Sequence, residues 1–216
     1  MKTWSGYKFL ALALLSCGTQ IASANVTVSL GEQDFADGAT PTTGAFLTAG
    51  AGEPAPFDGV FRGSDITGPN FSANWTFSYV AQPSILGASL TLGIYDHESS
   101  AQGSQVASFA LNGIDLTGAL NQVLESRIGS SRQDNVYLLP LPSSTFAALG
   151  TGSATFSLVL QGPGLGILGE TTFNGAALDF STLSVTTVPE PATVILMSLG
   201  LVGLGIARRI SARSSR

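Results

Sequence analysis

The stretch Phe71-Ser72-Ala73-Asn74-Trp75-Thr76-Phe77-Ser78-Tyr79 decides the fold class. Its apolar residues fall at every second position, so Phe71, Ala73, Trp75, Phe77 and Tyr79 share one face while small polar residues occupy the other. A period of two belongs to a strand with one face in a core and one in water; a helix would repeat every 3.6 residues. The same alternation groups Ala88, Leu90, Leu92 and Ile94, then Ala107, Phe109 and Leu111, then Ala154, Phe156, Leu158 and Leu160. Val26 to Leu30, Val136 to Leu139 and Ala176 to Val185 add further strand candidates. Between these runs lie clusters such as Thr67-Gly68-Pro69-Asn70 and Gly162-Pro163-Gly164-Leu165-Gly166, which supply turns and bends.

One interruption reads as helical. Leu116, Leu120, Val123, Leu124 and Ile128 recur at helical spacing, with Asp115 or Thr117 placed to cap the start. The strand spacing, the abundance of glycine and the absence of repeating strand-helix units favour two packed antiparallel sheets over an α/β fold. The expected architecture is an all-β, jelly-roll-like sandwich with one short helix. Gly31 to Pro56, rich in Gly, Ala, Thr and Pro, reads as an irregular loop holding at most a short strand.

Both chain ends carry targeting signals. Lys2 and Lys8 form a positive region, Phe9 to Leu15 an apolar core, and Ala22-Ser23-Ala24 a small-residue cleavage site before Asn25. The chain is expected to be exported, with residues 1–24 removed. A competing reading takes Leu14-Leu15-Ser16-Cys17 as a lipobox with Cys17 acylated. Under the first reading the mature domain runs over residues 25–187 and holds no cysteine, which excludes disulfides and thiol chemistry there. Roughly 160 residues suffice for one self-sufficient core.

The C-terminal end has three parts: Val188-Pro189-Glu190-Pro191, an uncharged run from Ala192 to Ala207, and Arg208-Arg209 with a tail ending in Arg213 and Arg216. The prolines break any preceding element, the run can enter a bilayer as a helix, and the arginines hold its end on the cytoplasmic side. At sixteen residues the run spans about 24 Å, somewhat short of the roughly 30 Å hydrocarbon core, yet it lacks the polar face of a core helix. This arrangement resembles the PEP-CTERM sorting signal of bacterial surface proteins. The resemblance implies a membrane enzyme, exosortase, that recognises the motif and removes or exchanges the tail. It also implies exopolysaccharide or another matrix as the surrounding partner. It assigns no activity to residues 25–187.

Charge within that domain is one-sided. Thirteen acids face only Arg62, Arg127 and Arg132, a formal charge of −10, so nucleic acid and anionic lipid surfaces are poor partners. The chain's one histidine, His97, lies in Tyr95-Asp96-His97-Glu98-Ser99, and no Gly-x-Ser-x-Gly elbow accompanies it as a hydrolase would require. Nitrogen and sulfur ligands are scarce and oxygen ligands abundant, which makes calcium the metal to expect if any is bound. Asp96 and Glu98 are the candidate ligands; Asp34 with Asp37-Gly38, and Asp58-Gly59 with Asp65, form two further acidic turns, and none fits an EF-hand. Trp75 belongs to the core by its face, whereas Tyr95 and Tyr137 look freer to meet a sugar. The reading is therefore a non-catalytic exported surface or matrix protein, anchored in the membrane until its tail is processed. The alternative is a surface-tethered polysaccharide hydrolase using a carboxyl pair.

Overall fold

A computed structural model describes residues 24–95, 103–127, 132–162, 173–188 and 200. Asn25–Thr187 form one compact unit, and the two chain ends fall outside it. The strands are β1 (Ala24–Leu30), β2 (Ser72–Ser78), β3 (Ile85–Tyr95), β4 (Val106–Leu111), β5 (Ile114–Asp115), β6 (Asp134–Pro140), β7 (Ser153–Leu160) and β8 (Ala177–Thr187). Among the described residues of this unit three short helices join them, α1 (Thr43–Ala49), α2 (Thr117–Glu125) and α3 (Phe146–Leu149), the last preceded by a 3₁₀ turn at Ser143–Thr145.

The strands form two four-stranded sheets, ordered β1-β8-β3-β6 and β2-β7-β4-β5. Strand 1 lies beside 8, 2 beside 7, 3 beside 6 and 4 beside 5, the order produced when one long antiparallel ribbon rolls up on itself. That is the jelly-roll connectivity, which buries one face of every strand in a shared core. The alternation in β2 survives in full: Phe71 and Phe77 are completely buried, Trp75 is 5% exposed, and Ser72, Asn74, Thr76 and Ser78 face solvent. At the centre Phe156 stacks on Trp75 (5.6 Å between ring centres) and Phe109 (5.7 Å) and meets Phe77 edge-on (5.9 Å). Such offset and edge contacts suit the ring quadrupoles.

Four expectations need correction. Ala107 does not share the inward face of Phe109 and Leu111; it is exposed, and Val106 is buried instead. Val106 pairs with Leu160 and Ser108 with Val159, so Ala107 is the extra residue of a β-bulge, which resets the alternation. The second correction concerns the segment 31–56, where α1 replaces the expected loop or strand. Thr42 caps α1 through its side-chain oxygen, which accepts the Ala45 amide (3.2 Å), and Phe46 anchors it by stacking on Tyr95 at 4.3 Å. One buried aromatic in a seven-residue helix leaves no periodic signal, so tertiary packing makes this helix.

The third is the start of α2. Leu116 occupies the cap position and Thr117 is the first helical residue; the Asp115 carboxylate accepts the Thr117 amide at 2.9 Å from just outside the helix. Leu120 and Leu124 are buried as the periodicity requires. The fourth concerns the tyrosines, for Tyr95 and Tyr137 are buried, at 0% and 1% exposure. Tyr95 is covered by α1 and donates to the Pro41 carbonyl (3.3 Å), while Tyr137 faces the main core. No helix among the described residues is long and apolar enough to cross a membrane; the run 192–207, apart from Gly200, lies outside them.

Candidate functional site

The outward face of the β1-β8-β3-β6 sheet is covered at one end by the segment between β1 and β2. Phe46, Tyr95 and Ala177 form a small apolar cluster there, with Phe35 and Phe61 packed against it. Beside it the sheet edge is extended by the loop: the Gly38 amide donates to the Asp134 carbonyl and the Asp134 amide to the Ala39 carbonyl, each at 2.8 Å. Tyr137 and Leu139 of β6 point into the core, so Asp134 stands on the opposite face with Val136 and Leu138. The loop then seals it, and Asp134 is fully buried.

A second acid reaches the same place from β8. Leu92 pairs with Ser181 and Ile94 with Leu178, so Asp179 and Phe180 together oppose Gly93 in a bulge. Gly93 is required by this arrangement: a Cβ there would lie 2.7 Å from the Phe180 ring and 3.1 Å from the Asp179 Cβ. Gly31 is required as well, since it turns with φ +74° and a Cβ would meet the Asp179 carbonyl oxygen at 2.6 Å. Asp179 is 3% exposed. Its Oδ1 accepts the Asp34 amide at 3.4 Å, but its Oδ2 has no hydrogen-bond partner, nor does either carboxylate oxygen of Asp134.

Four more acids surround this pair. Asp37 is neutralised: Arg127 grips both its oxygens, and one of those also accepts the Val136 amide at 2.9 Å. The Arg127 bond therefore holds the Asp37 carboxyl below the usual range. The Glu53 carboxylate accepts the Glu32 amide at 3.1 and 3.2 Å, and burial raises its pKa. Asp34 is raised too, by burial and then by the charge of Glu32. Burial pushes Asp134 up to about 8, with the charges of Asp179, Asp37 and Asp34 adding to it, and burial pushes Asp179 up to about 7. Tyr95 of β3 stands opposite Asp134 in register.

These shifts carry a sign. A carboxyl whose folded pKa lies above its unfolded value binds a proton in the native state that the unfolded chain has released. Its stabilisation is complete below about pH 4 and disappears as pH rises through about 7 and 8, with a limiting slope of about 1.4 kcal/mol per pH unit for each group. Asp37 acts oppositely, and only in acid below its unfolded value. In a chelating buffer, the melting temperature is expected to fall from pH 5.5 to pH 8.5, and Asp134→Asn should flatten that fall. A profile unchanged by the substitution would contradict this placement of the charge.

The structure separates the acidic turns read from sequence. Asp34 and Asp37 join the buried pair, whereas Asp58 forms a salt bridge with Arg62 (2.8 Å) and Asp65 accepts the Gly175 amide (2.6 Å), both holding loops. Asp96, His97 and Glu98 lie outside the described residues, as do Ala22, Pro189, Glu190, Pro191, Arg208 and Arg209. Ala24 and Asn25 open β1 and are exposed; Val188 follows β8 directly. The sequence reading missed Asp134 and Asp179 because it sought acids in turns. The available signal was an acid within an apolar run, as in Ala176-Ala177-Leu178-Asp179-Phe180. Among the described residues, no three His, Cys, Asp or Glu side chains converge closely enough to form a ready metal site. Away from this region, an open groove of about 710 Å³ is lined by Gln82, Pro83, Ser84, Ile85, Phe146 and Thr151 among others, none of them ionisable.

Fold and chain end together define an exported jelly-roll protein with a sorting signal behind its last strand. Residues 187–209 match the PEP-CTERM protein-sorting motif, and the chain carries that motif as an exosortase substrate, anchored at the membrane and then processed. No curated protein matches the chain. Among solved structures it is similar to BuGH86 in complex with neoagarooctaose, with TM-score 0.37 and 12% identity over 77% of this chain and 19% of that one. It is also similar to latent PorU from Porphyromonas gingivalis, with TM-score 0.35 and 12% identity over 77% and 13% of the two chains. A third is the ANXUR2 extracellular domain from Arabidopsis thaliana, with TM-score 0.34 and 13% identity over 79% and 44%. The chain thus spans less than half the length of each.

Proposed function

We propose that the protein is a non-catalytic component of the cell surface or extracellular matrix, its jelly roll presented outside the cell and associated with exopolysaccharide. The observation that carries this reading is the junction at Thr187: the last strand ends there and the sorting motif begins there. What the signal delivers is therefore the sandwich itself. The outward face of the β2-β7-β4-β5 sheet suits a neutral polymer. Ser72, Asn74, Thr76, Ser78 and Thr155 lie exposed on it, with Thr76 and Thr155 sharing a hydroxyl hydrogen bond across the strands at 2.9 Å, and no charge interrupts these positions. Hydroxyl and amide groups in a ladder can exchange hydrogen bonds with sugar hydroxyls.

The hydrolase alternative requires a carboxyl pair open to substrate. Asp134 and Asp179 are the two acids whose pKa values burial raises furthest, and both are enclosed. Incubating the purified chain with exopolysaccharide from its host is expected to give co-sedimentation without release of reducing ends. Release of reducing ends that stops on replacing a single acid by its amide, with the fold intact, would establish the hydrolase and end this proposal.

A further inference from the structure

We propose that the free edge of β2 is a self-association surface, to which a second copy of this chain adds its own β2 in antiparallel fashion about a twofold axis. Strand β2 is the outermost of its sheet and pairs with β7 in unbroken register, from Ser72 opposite Val159 to Ser78 opposite Ser153. The Leu160 amide donates to the Phe71 carbonyl (3.1 Å) and the Tyr79 amide to the Gly152 carbonyl (2.9 Å). Antiparallel bonding alternates residue by residue, so the odd-numbered positions of β2 are those bonded to β7. Ser72, Asn74, Thr76 and Ser78 therefore turn both their amides and their carbonyls to the other side, where no group among the described residues bonds to them. A row of donors and acceptors about 23 Å long, presented this way, is a template for another strand.

Sheet edges are ordinarily blunted by charge, proline, a bulge, shortness or a covering segment. Two edges of this sandwich are treated so. Strand β6 ends in Pro140, the Gly38 loop pairs with Asp134, and Asp37 and Arg127 take up the amide and carbonyl of Val136. Strand β5 is only two residues long. By contrast β2 runs for seven residues without a charge, a proline or a bulge. Charge selects the occupant. Strands β2, β4 and β7 hold no charged residue, so this edge offers no counter-charge to a basic or an acidic partner. Two copies of a domain with a formal charge of −10 repel over much of their surface, but not along this strand. Symmetry selects the register. Setting Ser72 opposite the partner's Ser78, and Asn74 opposite the partner's Thr76, is the one alignment that uses every free backbone group of the edge. Short hydroxyl and amide side chains then face one another on the solvent side, as Thr76 and Thr155 already do at 2.9 Å within the sheet. Anchoring at the membrane concentrates the chains and favours such pairing. Self-association does not depend on the polysaccharide reading and can fail without it.

The test is sedimentation equilibrium of the full chain in density-matched detergent, over roughly 1 to 100 µM. The wild type is expected to pass reversibly from monomer to dimer. Thr76→Pro removes an amide that points away from β7, so the fold should persist, with a melting temperature close to that of the wild type, while Kd rises about tenfold or more. A second pair of variants tests the register without proline. Asn74→Asp with Thr76→Asp sets acid opposite acid across the axis and should abolish the dimer, whereas Asn74→Asp with Thr76→Lys sets acid opposite base and should restore it. Thr27→Asp on β1, the other uncharged edge strand, should leave Kd unchanged. A wild type that stays monomeric at the highest concentration, a dimer indifferent to Thr76→Pro, a failure of the Asp-Lys combination to restore what the Asp-Asp combination abolishes, or a dimer lost in Thr27→Asp would each overturn the proposal.

Discussion

Replacing Pro189, Glu190 and Pro191 together by alanine is expected to abolish C-terminal processing and leave the full-length chain in the membrane fraction. The reason lies in what the three residues do to the backbone. Each proline fixes φ and removes an amide donor, and the residue before each is driven toward extended conformations, so the motif separates the last strand from the apolar run. Alanine, the best helix former, would remove that break in the backbone and would erase the acidic mark between the prolines. The sandwich should be untouched, since β8 ends at Thr187 and pairs with Ile85 there. In a host carrying the matching exosortase, immunoblotting of membrane and medium should show precursor only. Processing of the alanine variant at the wild-type rate would mean that the motif is not what the enzyme reads.

The second large effect belongs to the core. Phe156 is fully buried and its ring touches those of Trp75, Phe77 and Phe109, so it joins β2, β4 and β7 into one aromatic cluster. Phe156→Ala should remove about 3–5 kcal/mol, the range for deleting a buried aromatic with partial collapse of its cavity. Against a total stability of about 5–15 kcal/mol, that is enough to depopulate the native state at growth temperature. Urea unfolding should resolve it, with Thr76→Ala on the solvent face of the same sheet changing stability by no more than about 0.5 kcal/mol. A loss below about 1 kcal/mol for Phe156→Ala would place the core elsewhere.

How much of this was legible beforehand depends on which physical rule was in charge. Where a strand is regular and half-buried, the period of two is dictated by the pleat, and β2, β3 and β7 could be read with their faces assigned. Bulges break that rule by one residue, so Ala107 was misplaced and the outward turn of Asp179 could not be seen. The helix at Thr43–Ala49 escaped because its stability comes from one stacked pair, Phe46 on Tyr95, separated by half a hundred residues of chain. The buried acids escaped for a related reason. Asp134 is sealed by backbone hydrogen bonds from Gly38 and to Ala39, a partner no local pattern names. By contrast the sorting signal is legible from sequence because it is read as a linear string, and its composition alone defines it.

On this reading the jelly roll is exported and then released from its own tail. The intact mass of the mature protein, isolated from a host with the matching exosortase, tests it most directly. A chain beginning at Asn25 and ending within Pro189 to Pro191 is the predicted result. A mass that still includes Arg216 would contradict it and make the C-terminal run a permanent anchor.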